Sequence, residues 1–210
     1  MKLYHGSDQI ILKPKYNYGI PSNDYGLGFY MSDDKDIARL WASKNPSDGF
    51  LMEYEVAMNK LNILYLDDQS EQSILKWITI LVSHRFSRFE IDKYKTTINA
   101  LNDKYSFDIS NYDMIVGYRA DDSYFQYSRD FVADDLSLET LSKAMKLGNL
   151  GKQYVLISEN SFNHITLNKY EEVKASNEYE LFRQQTNKQY HQLKKEDNIN
   201  NTFIRDILRK

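Results

Sequence analysis

Apolar and polar positions along the chain switch between a period of two and a period near 3.6, and this divides it into short strands and longer helices. Lys2 to His5 and Phe29-Tyr30-Met31 read as short strands. Between them Ile10 to Tyr18 is irregular, and Gly19 to Asp24, with Pro21, Ser22 and Asn23, carries loop chemistry. Ile37, Leu40 and Trp41 stand at helical spacing. They predict a helix from about Lys35 to Ser43, capped by Ser32 or Asp33 and ended by Asn45-Pro46-Ser47-Asp48-Gly49. Phe50 to Val56 partly alternates, as a half-buried strand does, and Asn62 to Leu66 is another strand.

Ile74, Leu75, Ile78, Leu81 and Val82 share one face of a helix from Glu71 to Phe86, and a second helix is expected from about Ile91 to Asn102. Tyr112 to Gly117 reads as a strand running into a loop with Asp121 and Asp122, and Tyr124 to Tyr127 reads as its continuation. Ser137 caps a helix bearing Leu138, Leu141, Ala144, Met145 and Leu147, stopped by Gly148. Gln153 to Ser158 and His164 to Leu167 are further strands. From Lys169 the chain turns polar and charged. Glu178 to Lys195 reads as a solvated helix and Thr202 to Leu208 as a short amphipathic one. Strands interrupted by helices, without regular alternation, give an α+β class. The expected organisation is one domain over residues 1–168 and a charged helical C-terminal extension over 169–210.

Composition narrows the function classes. A length of 210 residues suffices to bury a real core. The formal net charge of −3 gives no general pull towards nucleic acid or anionic membrane. The absence of cysteine excludes disulfides, thiolate metal sites and cysteine nucleophiles. No apolar run approaches the roughly 18 residues that span a bilayer, and Met1-Lys2-Leu3-Tyr4-His5 has no apolar signal region, so a cytoplasmic protein without membrane association is expected. Histidines spaced for zinc, a Walker loop, a GxGxxG fingerprint and a GxSxG elbow are all lacking, so no metal is expected and any dinucleotide is held in a non-Rossmann manner.

Candidate chemistry concentrates in Leu3-Tyr4-His5-Gly6-Ser7 and Tyr25-Gly26-Leu27-Gly28-Phe29-Tyr30. Two glycines two apart let the backbone turn sharply and approach a ligand, and the aromatic pair that follows can face a flat ring. Plainer readings stand beside these: a core histidine for His5, core aromatics for Tyr30 and Trp41, a simple turn for Gly26 and Gly28.

Leu3 to Ser7 resembles the His-Gly-Ser strand of the diphtheria-toxin-like ADP-ribosyltransferases, which include the poly(ADP-ribose) polymerases. Gly26 to Tyr30 resembles their Gly-Lys-Gly-Ile-Tyr segment, and Trp41 stands where that family has an aromatic eleven residues beyond the tyrosine. Lys152 to Ile157 resembles the late strand that carries their catalytic glutamate, with Gln153 at the key place. Tyr112-Asp113-Met114-Ile115-Val116-Gly117 followed by Ala120-Asp121-Asp122 is similar to a bacterial family of ADP-ribosyltransferase-like proteins, DUF3990.

The resemblance implies a split β-sheet core with flanking helices and NAD as substrate. It gives His5 a ribose hydroxyl, and the Gly6 backbone, with Ser7, the nicotinamide carboxamide. Gly28 and Tyr30 belong to one wall of the nicotinamide slot, and Trp41 closes the other side. Gln153 keeps the hydrogen-bonding shape of glutamate without its charge, which disfavours chain elongation. Gly151, two residues before it, does not support arginine modification. The open outcomes are transfer of a single ADP-ribose, NAD hydrolysis, and binding of NAD or ADP-ribose without catalysis. Asp121 and Asp122 are candidate auxiliary acids, with a solvated turn as the alternative. Arg119 reads first as part of a surface salt bridge, with the NAD pyrophosphate or an acceptor as its functional alternative. The resemblance further implies a toxin role, with an unknown protein or nucleic-acid acceptor and a cognate antitoxin as partners.

Overall fold

The computed structural model describes residues 1–44, 47–120, 122–149 and 151–209. Its strands are β1 (Lys2–Ser7), β2 (Phe29–Ser32), β3 (Gly49–Val56), β4 (Ile63–Leu66), β5 (Met114–Gly117), β6 (Gln153–Leu156) and β7 (Ile165–Val173). They form one seven-stranded sheet in the order β4-β5-β6-β2-β1-β3-β7. β4 and β5 pair in parallel, and the other neighbours are antiparallel. The helices are α1 (Lys35–Ser43), α2 (Glu71–Arg85), α3 (Arg88–Lys93), α4 (Lys95–Tyr105), α5 (Asp122–Val132), α6 (Leu138–Ala144), α7 (Glu178–Lys195) and α8 (Ile204–Arg209). The fold is α+β.

Side-chain alternation along the central strands feeds two cores. Ile115 and Val155 face a large cluster with Trp77, Ile78 and Leu81 of α2, Phe131 of α5 and Tyr190 of α7. Met114, Val116, Tyr154 and Leu156 face the opposite cluster with Leu3, Met31, Met52 and Tyr54. The sheet is thinnest in its middle. β1 matches β3 along its whole length, from Lys2↔Glu55 to Ser7↔Phe50, but it meets β2 at the single register pair Tyr4↔Ser32. A three-strand half (β1, β3, β7) and a four-strand half (β4, β5, β6, β2) therefore part along one seam.

Helix α1 lies over β1 with almost no clearance. A Cβ on Gly6 would come within 2.0 Å of the Ala38 carbonyl oxygen and 2.7 Å of the Ala42 nitrogen, so only glycine allows this approach. The cap of α1 is Asp34, which accepts from the backbone of Asp36 and Ile37. The expected caps, Ser32 and Asp33, are displaced because β2 runs on through Ser32, whose hydroxyl accepts from the Asp34 N–H instead.

Three other expectations are corrected. Tyr124 to Tyr127 does not continue the strand; it lies within α5, whose Phe125, Tyr127, Ser128, Phe131 and Val132 are all buried. The single helix expected near Ile91 to Asn102 is two. A Ser87–Glu90 capping box opens α3, and Tyr94, at φ −107° and ψ 23°, breaks the run before α4. The strand expected over His164 to Leu167 runs further, because β7 continues to Val173 against Gly49 to Glu53 of β3. An edge strand keeps its backbone ladder with little apolar content, so its polar sequence does not betray it.

The helix α7 has the expected bounds, yet one face is docked rather than solvated. Thr186 and Tyr190 are buried. Tyr190 stacks on Tyr127 with centroids 3.8 Å apart and donates to Asp130 at 2.5 Å, and Asp130 also pairs with Lys194 at 2.6 Å. Among the described residues, no helix is long and apolar enough to cross a membrane.

Candidate functional site

A cavity of about 610 Å³ opens at the seam between the two halves of the sheet. β1 contributes His5, Gly6 and Ser7. β2 and the turn before it contribute Gly28, Tyr30 and Ser32, β6 contributes Gln153, and α1 contributes Trp41. Five of the residues singled out by sequence sit on β1, β2 and β6, Gly28 stands just before β2, and the cavity gathers them because β1, β2 and β6 are neighbours in space though far apart in the chain. Asp121 lies outside the described residues, and so does the side chain of Asp122.

His5 is fixed by its neighbour across the seam. Its Nδ1 lies 2.6 Å from the Tyr30 carbonyl oxygen. A carbonyl only accepts, so Nδ1 carries the proton and Nε2 of the neutral ring is left with a lone pair. Burial pushes the imidazole pKa below its usual value, and the nearby Arg119 adds to this against the opposing pull of the Tyr30 carbonyl. The ring also packs on Phe29 with centroids 4.6 Å apart.

Tyr30 is held at its far end. Its hydroxyl donates to the Gly26 carbonyl at 2.7 Å and accepts from the Tyr25 N–H at 3.0 Å. This closes the turn, where Gly26 takes φ +74° and a Cβ would strike the ring of His84 at 2.6 Å. Desolvation keeps the Tyr30 phenol protonated. Tyr25 is buried beneath the turn and donates to the Tyr118 carbonyl at 2.7 Å.

Gln153 stands opposite Ser32 of β2 and Gly117 of β5. It is only 5% exposed, and its amide oxygen is buried with no hydrogen-bond partner. An unsatisfied buried carbonyl costs on the order of 1–3 kcal/mol.

Sequence reasoning missed Asp24 and Arg85 and misplaced Arg119. Asp24 reads as turn chemistry, but it is 4% exposed. It pairs with Arg85 at 2.7 Å and accepts from the Ala120 N–H at 2.8 Å. Arg85 also donates to the Ala120 carbonyl. Burial raises the Asp24 pKa, and Arg85 opposes that shift. These bonds pin the loop before β2 to the end of α2 and to the segment after β5. Arg119 is not on the surface. It is buried in the cavity wall with its guanidinium 5.4 Å from the Trp41 ring. The only sequence signal for this trio was a lone acid and two isolated arginines in unlike settings.

Lys44, Arg85 and Arg119 line the cavity against the single acid Asp24, all among the described residues. The cavity is thus locally cationic in a chain of net charge −3, and suits an anionic ligand. Among the described residues, no group of three or more histidines, aspartates or glutamates could hold a metal ion.

A family model described as "Protein of unknown function (DUF3990)" matches residues 1–168. The chain belongs to the DUF3990 family. No curated protein and no solved structure matches it. The DUF3990 match contains His5, Tyr30, Trp41, Arg119 and Gln153, and ends inside β7. Tyr179, which also lines the cavity, lies beyond it.

Proposed function

We propose that the protein binds NAD in the seam cavity and transfers a single ADP-ribose from it, releasing nicotinamide. The observation that carries this reading is the buried, unpartnered amide oxygen of Gln153, in the same cavity as the lone pair of His5 and the ring of Tyr30. A ribose presents two adjacent hydroxyl donors, and these two acceptors match them.

In this reading the Gly6 backbone, with Ser7, takes the carboxamide. Gly28 helps line the slot, Tyr30 stacks on the nicotinamide ring, and Arg119 and Lys44 face the pyrophosphate. The glycosidic C–N bond breaks, its electron pair leaves with the nicotinamide nitrogen, and positive charge develops on the ribose. The acceptor's lone pair then forms the new bond at that carbon, and the acceptor loses its proton to solvent. The protein's share is orientation and exclusion of water, together with the amide dipole of Gln153 directed at the sugar. The test is nicotinamide release, followed by mass spectrometry, with NAD and a panel of protein and nucleic-acid acceptors. Release no greater than that of a His5→Ala/Tyr30→Ala control would overturn the enzyme reading.

A second reading, NAD or ADP-ribose binding without turnover, is favoured by one specific observation. Asp24, the acid in the described cavity lining, is committed to Arg85 and the Ala120 N–H, so among the described residues no free carboxylate lines the cavity to oppose a developing cation. Calorimetry showing affinity without release would select it. A toxin role with a cognate antitoxin rests on the resemblance alone, and growth of cells expressing the chain with and without His5→Ala tests it.

A further inference from the structure

The cavity wall is completed from outside the family span. Tyr179, in the first turn of α7, packs against Trp41 with ring centroids 5.6 Å apart at an angle of 59°. The Lys44 ammonium lies 3.9 Å from the Trp41 ring centroid and 5.6 Å from that of Tyr179, within reach of both. Trp41, Lys44 and Tyr179 all line the cavity. The position of Tyr179 is set by the rest of α7. Tyr190 and Lys194 are tied to Asp130, and Phe182 and Thr186 pack against Gly148, where a Cβ would come within 2.5 Å of the Phe182 ring.

Two aromatic rings at one wall, with an ammonium and a guanidinium flanking Trp41, suit a planar ring that carries phosphate. In the proposed reading the nicotinamide ring already lies against Gly6 and Tyr30, which leaves this part of the wall to the other half of the dinucleotide. That half is the nucleoside phosphate.

We infer that Tyr179 is a ligand-binding residue contributed by the C-terminal helix, and that with Trp41 and Lys44 it holds the adenosine-phosphate half of NAD. This rests on the reading of the cavity as an NAD site. The C-terminal segment is then part of the site and not an appendage to it.

Calorimetry with ADP-ribose, which lacks nicotinamide, tests the inference on the full chain. Tyr179→Leu keeps bulk and helix propensity but removes the ring. It should weaken ADP-ribose binding about five- to tenfold, the effect of losing one stacking contact, and weaken NAD binding equally. Tyr179→Phe should bind as the wild type does. Nicotinamide alone should bind both variants as it binds the wild type. Equal ADP-ribose affinity in wild type and Tyr179→Leu would overturn the inference while leaving the NAD site intact. Loss in Tyr179→Phe as great as in Tyr179→Leu would overturn it as well, by assigning the effect to helix docking. Wild-type protein that binds neither NAD nor ADP-ribose would overturn the underlying reading and the inference together.

Discussion

The imidazole of His5 donates from Nδ1 to the main-chain carbonyl of Tyr30 across 2.6 Å, so a side chain on one strand reads the backbone of the next where the ladder between them is at its shortest. The bond sets the tautomer, and burial holds the ring neutral. His84 is shifted the same way by burial beside Gly26.

A histidine whose folded pKa lies below its unfolded value binds more protons when unfolded, so stability rises with pH between the two values. The stability is fully present above about 6.5, the ordinary histidine value, and falls as pH drops from there towards the lowered folded value. Thermal unfolding between pH 7.5 and 5 should show this decline. His5→Gln should flatten part of the slope and His84→Gln another part. A slope unchanged in both variants would refute the assignment.

Gln153→Glu restores a negative charge where the proposed reaction develops a positive one. Nicotinamide release should rise on the order of tenfold or more. The fold should lose stability, because a carboxylate then occupies a site where the amide is 5% exposed. Unchanged release in a variant that still binds NAD would remove the electrostatic argument.

Gly6→Ala tests a structural role that a ligand-based reading of this glycine overlooks. Its methyl group would collide with the main chain of α1, 2.0 Å from the Ala38 oxygen. Stability should fall by about 3 kcal/mol, seen as a melting point lower by roughly 6–12 °C. Loss of activity in this variant therefore reports on the seating of α1, and denaturant unfolding measured alongside separates the two effects.

Arg85→Ala leaves the Asp24 carboxylate buried without its cation. The cost should be about 3 kcal/mol, and ADP-ribose affinity should fall because the loop before β2 is released from the Ala120 segment. Adding Asp24→Asn removes the stranded charge and should recover part of the stability. A double variant no more stable than Arg85→Ala alone would show that the ion pair is not what holds the loop.

Much of the fold was legible because its elements are local. The apolar stripe of α2 and the bounds of α1 and α7 follow from spacing that needs no knowledge of neighbours. The edge strand β7 was cut short because Lys169, Glu171 and Glu172 belong to a ladder and not to a core. The aromatic run at 124–127 imitated a strand because only the packing of Phe125 on Arg85 and Phe86, and of Tyr127 on Tyr190, reveals a helical face. At the site, His5, Gly6, Tyr30, Trp41 and Gln153 were found through motifs. Asp24, Arg85 and Arg119 carry no motif. Their meaning is a mutual distance that spans the chain from 24 to 119, and Tyr179 becomes visible only once α7 docks beside α1.

The run of β7 through Val173 bears on how the chain can be shortened. A version ending at residue 168 would strip the partners from Gly49 to Glu53 of β3 and remove buried Val173. The bared margin would present an open row of main-chain donors and acceptors bordered by Phe50 and Leu51. Such a margin recruits strands from other molecules, so the shortened protein should precipitate or self-associate before any question about its chemistry could be asked of it.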